Sequence, residues 1–270
     1  MPVRLVVSDV DGTLVDREKK LTPATIAAVR RLHARGIAFA LISARPMSGI
    51  RPLLDELGLD DDAGAFNGGT VFRRDGTIVR RAFVAAEVAR GVIALAQGMT
   101  VDTWVFADDL WYATDPQGPH TASERRASFQ EPVVPEDVSP LLERADKITF
   151  VSDDEALLRS LYERCRQAFG ARATIAQSQT YYLDVTATTA NKGDGIAALA
   201  AAAGVLLAET AAIGDQANDL PMLARAGLPI AMGNAPDRVK AAARHVTRAN
   251  DADGVAHAIE TFILAPELPA

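Results

Sequence analysis

Cysteine is nearly absent: the 270-residue chain has one, Cys165, so no disulfide can form within it. Its helix-like surroundings, Leu157 to Arg164, assign it to a buried structural thiol. Histidine is scarce too, with four residues at 33, 120, 245 and 257 that show no metal-ligand spacing with one another, and His33 reads as a surface or boundary residue of a helical segment. No apolar run approaches the length of a membrane span. Val3 to Val7, broken by Arg4 and followed at once by Asp9, is too short for the core of a secretory signal, so cytoplasm is the expected location. Basic charge is short as well: a net charge of −7 and a pI near 5.2 exclude a general nucleic-acid surface. They leave room for small anionic substrates, because a local cation outweighs a diffuse field at contact range. What is present, 49% hydrophobic and 23% charged residues, is the composition of a globular protein of one large domain or two ordinary ones. Oligomeric state is not legible.

The most informative stretch is Asp9-Val10-Asp11-Gly12-Thr13-Leu14, two carboxylates one residue apart after Arg4 to Ser8, which reads as a buried strand. Gly12-Thr13 supplies a turn, so both carboxylates can face the crevice beyond the strand end, where open α/β sheets bind ligands. Two like charges held that close call for a cation or a shared proton. Taken alone, Asp-x-Asp equally serves as a cap or turn pair. Downstream, Ala211 to Gly214 forms a second apolar strand that ends in Asp215-Gln216-Ala217-Asn218-Asp219. Ser43 stands at the end of the strand-like run 37–42, and Lys192 stands just before an alanine-rich helix. By themselves Ser43 would be a helix N-cap, Lys192 a solvated helix-start lysine, and Asn218 and Asp219 caps for Leu220-Pro221-Met222-Leu223. Their order and joint spacing lift them out of that reading.

Together these residues resemble the haloacid dehalogenase (HAD) superfamily of aspartate-nucleophile phosphotransferases, and most closely its Cof-type branch (subfamily IIB). Asp9, Asp11 and Thr13 match its Asp-x-Asp-x-Thr motif, and Ser43 its second motif, although the common Thr-Gly-Arg stands here as Ser43-Ala44-Arg45. Lys192 matches the third motif, and Gly214, Asp215, Asn218 and Asp219 the fourth. Asn67-Gly68-Gly69 and Met232-Gly233-Asn234-Ala235 resemble two further loops of that branch. The resemblance implies a Mg²⁺-dependent phosphatase acting on a small phosphorylated metabolite, a sugar phosphate or phosphorylated cofactor, with no nucleic-acid or membrane partner. In it Asp9 is the nucleophile and Asp11 the general acid and base. Asp9, Asp215 and the main-chain carbonyl of Asp11 hold the metal. Ser43, Ala44, Lys192 and Asn218 bind the phosphoryl group, while Thr13 and Asp219 orient the shell. Ala44 in place of glycine would be strained if the loop needed positive φ. A phosphomutase or phosphotransferase on the same site, and a non-catalytic phosphoacceptor signalling module, are the alternatives; an acid–base residue beside the nucleophile argues against the module.

Alternating strands and helices predict an α/β fold, a doubly wound parallel sheet (Rossmann-like HAD core) with an inserted α/β cap. The core is expected over 1–81 and 188–270, and the cap over 82–187. Thr22-Pro23 opens a helix that Gly36 ends, 71–74 and 77–81 form a hairpin around Asp75-Gly76, and helix 85–97 follows. Two strand-like runs fill 99–115, then an irregular proline-bearing stretch to Pro140, a strand at 146–151, a helix at 154–169 and strands near 172–177 and 180–186. Trp104 and Trp111 are expected in the core, Asp108-Asp109 in a turn, and Asp60-Asp61-Asp62 in a solvated loop. Tyr112, His120, Arg125 and Arg126 are left without a role. The tail from Leu264 is expected to fray.

Overall fold

The computed structural model describes residues 2–265, with the side chain of Ser178 left out; the rest of the expected tail lies outside the described residues. The chain divides into two compact units, one made of the chain up to Ala44, Ile50–Val79 and the chain from Asn191 on, the other of Arg45–Gly49 and Arg80–Ala190. No helix among the described residues is long and apolar enough to cross a membrane.

The first unit is built on a parallel sheet in the order His245–Val246, Leu228–Ala231, Thr210–Gly214, Leu5–Ser8, Ala38–Leu41. The strands Leu5–Ser8 and Thr210–Gly214 are buried at every position, as expected where helices cover both faces. Leu5–Ser8 is flanked by Thr210–Gly214 on one side and Ala38–Leu41 on the other, so the strand order reverses at it. All three strands end at one edge, because they are parallel and in register at Ser8, Ile213 and Leu41. The helix Pro23–Ala34 starts where its sequence predicts: the Thr22 side chain accepts from Thr25 N and proline occupies the first turn. Gly36, at φ 71°, follows its end.

The second unit is an antiparallel sheet in the order Leu110–Ala113, Asp102–Ala107, Ala145–Val151, Tyr182–Thr186, Thr174–Gln179. Residues from the helices Ala86–Ala96 and Glu155–Phe169 share its apolar core. Trp104 and Trp111 are buried edge to face, centroids 5.1 Å apart, and Asp102 accepts the Trp104 indole N–H. Asp108 and Asp109 make the tight turn between their strands with φ of 55° and 62°. Arg81 clasps the buried Asp146 with two hydrogen bonds of 2.7 and 2.5 Å.

Two expectations are corrected. The irregular stretch holds a helix, Thr121–Ser128, whose residues are polar apart from Ala122 and Ala127 and which buries only Thr121 and Ser128. No apolar periodicity announces it, and left-handed residues, His120 and Phe129, bound it at both ends. The Asp60–Asp62 run is not simply solvated: Asp61 accepts Phe39 N at 3.1 Å, Asp60 accepts from Arg74 and Asp62 lies near Arg73. Burial chiefly raises the Asp62 pKa, against the pull of Arg73.

Cys165 is fully buried and burial pushes its thiol up to about 11. A thiol whose pKa is raised by folding contributes stability that is whole below its unfolded value and lost as pH rises toward 11. Ellman's reagent at pH 8 is therefore expected to find no thiol in the native protein and one per chain in guanidinium. Rapid native labelling would contradict the burial.

Candidate active site

Asp9 continues the first strand by one residue, its N–H donating to Ile213 O at 2.9 Å, and Val10 O then accepts from Thr13, Leu14 and Val15 to close a turn. Gly12 is required in that turn: its φ is +83° and a Cβ would lie 2.5 Å from Asp215 Oδ2. The turn delivers the buried Thr13 hydroxyl to Asp215 Oδ1 at 3.0 Å. Across the strand end, Asp9, Asp215 and Asp219 offer carboxylate oxygens within 4.8 Å of one another, all buried.

Lys192 lies among them. It is the first residue of the helix Lys192–Ala202, capped by the Asn191 side chain, and its side chain is wholly buried. Its Nζ donates to Asp9 Oδ1 and Asp219 Oδ1, both at 2.5 Å. The solvated-lysine alternative is thereby removed. Asp219 also serves the structure: its other oxygen accepts Asp215 N and Gln216 N, each at 2.8 Å. Asp9, Asp215 and Asp219 all offer carboxylate oxygens that could hold a cation, and Asp219 in addition ties Lys192 to the backbone of the Asp215 loop.

Three buried carboxylates around one ammonium leave an excess of negative charge. Burial raises the Asp9 pKa most; Lys192 lowers it, Asp219 raises it again, and the balance stands at about 8. Burial and then Asp219 also raise Asp215, against the hydrogen bond from Thr13. Burial works against the Lys192 ammonium, but Asp219 and Asp9 outweigh it and hold the pKa above the ordinary lysine value. An all-oxygen donor set with surplus negative charge fits a hard divalent cation.

Asp11 stands apart from the three. Its carboxylate, part exposed, pairs with Lys19 Nζ at 2.6 Å. Lys19 itself has φ 64° in a turn that Asp16 closes by accepting from Glu18 N and Lys20 N. Nothing in the spacing of Lys19 announces that pairing. Ser43 is buried at the end of its strand, bracketed by backbone bonds from Ser43 N to Gly64 O at 2.9 Å and from Asn67 N to Ser43 O at 2.7 Å. Ala44 is absent from the positive-φ residues, so its Cβ meets no left-handed strain. Asn218 is exposed and donates to Asn67 Oδ1 at 3.2 Å. Asn234, which carried no assigned role, donates to Gly12 O at 2.8 Å and Asp215 Oδ2 at 3.3 Å, and accepts Asn250 N. Phe66, Asn67 and Gly68 take φ of 49°, 58° and 86° in succession. Such conformations cost on the order of 1–3 kcal/mol per non-glycine residue, least for asparagine.

The haloacid dehalogenase-like hydrolase family matches residues 6–259. The chain belongs to that family. An HMP-PP phosphatase of Cronobacter sakazakii is 29% identical over 244 residues, 90% of this chain and 89% of the relative. A haloacid dehalogenase-like hydrolase of Bacteroides thetaiotaomicron superposes with a TM-score of 0.88 at 27% identity, over 96% of this chain and 98% of that one. A HAD subclass IIB sugar phosphatase shares the fold, with a TM-score of 0.82 at 23% identity over 97% of this chain and 100% of its own. The chain is a HAD-type phosphatase of the Cof-type branch with an α/β fold.

A protonated Asp9 must ionise to take a cation. Because folding raises its pKa, the stability contributed by the neutral carboxyl is lost as pH rises from 3.8 through about 8. Cation binding near neutral pH should accordingly release protons, and the release should fall as pH rises past about 8. Calorimetry of Mg²⁺ binding in buffers of differing ionisation enthalpy measures this, and a release that does not change between pH 7 and 9.5 would contradict it.

Proposed function

We propose that the chain hydrolyses a small phosphate monoester, a sugar phosphate or phosphorylated cofactor, through an aspartyl phosphate on Asp9, with Mg²⁺ as its cation. The observation that carries this reading is the buried Asp9 carboxylate, held at 2.5 Å by Lys192 at the same strand edge as Asp215. Asp9, Asp215 and the Asp11 main-chain carbonyl would hold Mg²⁺, which supplies positive charge against the phosphate dianion.

Asp9 attacks phosphorus, and the bond from phosphorus to the ester oxygen breaks as Asp11 gives that oxygen a proton. Water then attacks phosphorus, Asp11 takes its proton, and the bond to Asp9 breaks to release inorganic phosphate. An ammonium has three N–H donors, and Lys192 uses two on Asp9 and Asp219, which leaves one for a phosphoryl oxygen. Ser43, the Ala44 amide and Asn218 supply further donors to oxygens over which the transferring group spreads its charge. Thr13 on one oxygen and Gln216 and Asn234 on the other hold Asp215 in place by hydrogen bonds. All of these residues belong to the first unit. We assign the expected core, 1–81 and 188–270, to this chemistry and the expected cap, 82–187, to selection of the alcohol half of the substrate.

Phosphate release from a panel of phosphorylated metabolites tests the reading. Asp9→Asn should abolish turnover and phosphoenzyme in a folded protein; appreciable residual hydrolysis in a pure preparation removes Asp9 from the role. Asp11→Asn should lose about 10²–10⁴-fold. With an activated aryl phosphate its first half-reaction should recover while dephosphorylation stays slow. Asp215→Ala should raise the Mg²⁺ concentration needed for half-activity far more than Lys192→Ala does.

A further inference from the structure

The loop that follows Ala63–Ala65 carries a residue to which no role has been given. Asn67 sits between two of the residues assigned to the phosphoryl group: its N–H donates to the carbonyl of Ser43 at 2.7 Å, and its side-chain oxygen accepts from Asn218 at 3.2 Å. Turn chemistry explains why an asparagine tolerates φ 58° here. It does not explain why the preceding residue, the buried Phe66, is left-handed as well, nor why the Asn67 side chain reaches a partner 151 residues away instead of its own loop. The loop is also pinned from beneath. A Cβ on Gly68 would lie 2.5 Å from Gly195 Cα, in the first turns of the helix that Lys192 begins. Ser43 and Asn218 are thus hydrogen-bonded to this one strained turn, and the helix that Lys192 begins packs against it. The Asn67 side-chain nitrogen has no hydrogen-bond partner among the described residues, on a half-buried side chain.

We propose that Asn67 is a phosphate-binding and positioning residue: its side-chain oxygen fixes the Asn218 carboxamide, and its NH₂ group donates to a non-bridging oxygen of the substrate's phosphoryl group. This rests on the assignment of Ser43 and Asn218 to that group. An uncharged donor suits the place, since it adds a hydrogen bond to the dianion without competing with the cation for the buried carboxylates. The strained backbone holds that donor still before the phosphate arrives, so no ordering of the loop opposes binding.

Asn67→Gly separates the side chain from the turn, because glycine takes φ 58° freely. Its melting temperature should match the parent's. The KM for an aryl phosphate and the constant for competitive inhibition by orthophosphate should each rise on the order of tenfold or more, as for a hydrogen bond to a charged group. The Mg²⁺ concentration for half-activity should not change. Asn67→Asp, isosteric but anionic, should weaken orthophosphate more than glycine does. In Asn67→Gly/Asn218→Ala the losses should fall short of the product of the single losses, as expected for coupled neighbours; strict multiplication overturns the hold on Asn218. A folded Asn67→Gly with the parent's KM and orthophosphate inhibition overturns the proposal. Orthophosphate-induced thermal shifts of the Mg²⁺-loaded proteins keep the two readings apart. A parent that hydrolyses no phosphate ester refutes the proposed function, while the presence or loss of that shift in Asn67→Gly still decides the role of Asn67.

Discussion

Lys192 buried between Asp9 and Asp219 is the interaction on which the rest of the first unit depends. An ammonium taken wholly out of water needs partners of excellent geometry, and removing either side of a buried pair costs on the order of 3–5 kcal/mol. The ends of two strands and the start of one helix must therefore meet to within tenths of an ångström. Burial first, and then the charge of Asp219, raises Asp9 and Asp215, and the surplus of carboxylates over ammonium makes room for a divalent cation. Stability and chemistry draw on one network, so neither can be adjusted alone.

Around that network the protein accepts close packing and backbone strain. Gly12 lets the first turn approach Asp215, and Gly68 lets the second loop lie against Gly195. Asn234 ties the Gly12 turn to Asp215, and Asn250 ties Asn234 in turn while donating to Val15 O at 2.9 Å. Left-handed residues persist where such contacts over-determine the backbone, as at Phe66 and Asn67. The inserted unit follows different rules. Its antiparallel sheet is organised by large aromatic side chains and by buried carboxylates used as hydrogen-bond anchors: Asp102 accepts from Thr103 N, Asp115 N and the Trp104 indole, and Asp146 is clasped by Arg81.

Much of the architecture was legible because its signals are local. A strand that ends in Asp-x-Asp-Gly-Thr, a helix opened by Thr-Pro and a turn at Asp108-Asp109 each carry their conformation in a few consecutive residues. Parallel pairing followed from the alternation of strands and helices. The helix Thr121–Ser128 stayed hidden because it has no apolar face to set a period. The pairing of Asp11 with Lys19 stayed hidden because it depends on a left-handed turn that nothing around Lys19 signals. Ala44 looked open to strain, and the loop turned out not to require positive φ there.

Chain order and residue chemistry alone determined the family and the α/β class, and nominated the side chains proposed for phosphoryl transfer, because motif spacing along a sheet of parallel strands is a one-dimensional property. Only the tertiary structure decided what each side chain is spent on. It buried Lys192, engaged Asp219 with that ammonium and with two backbone amides, placed Asp215 beside Asp9, and set Asn67 between Ser43 and Asn218. Those outcomes hang on hydrogen bonds between residues far apart in the chain, whose geometry is settled by strand register and helix packing, and no local pattern records either.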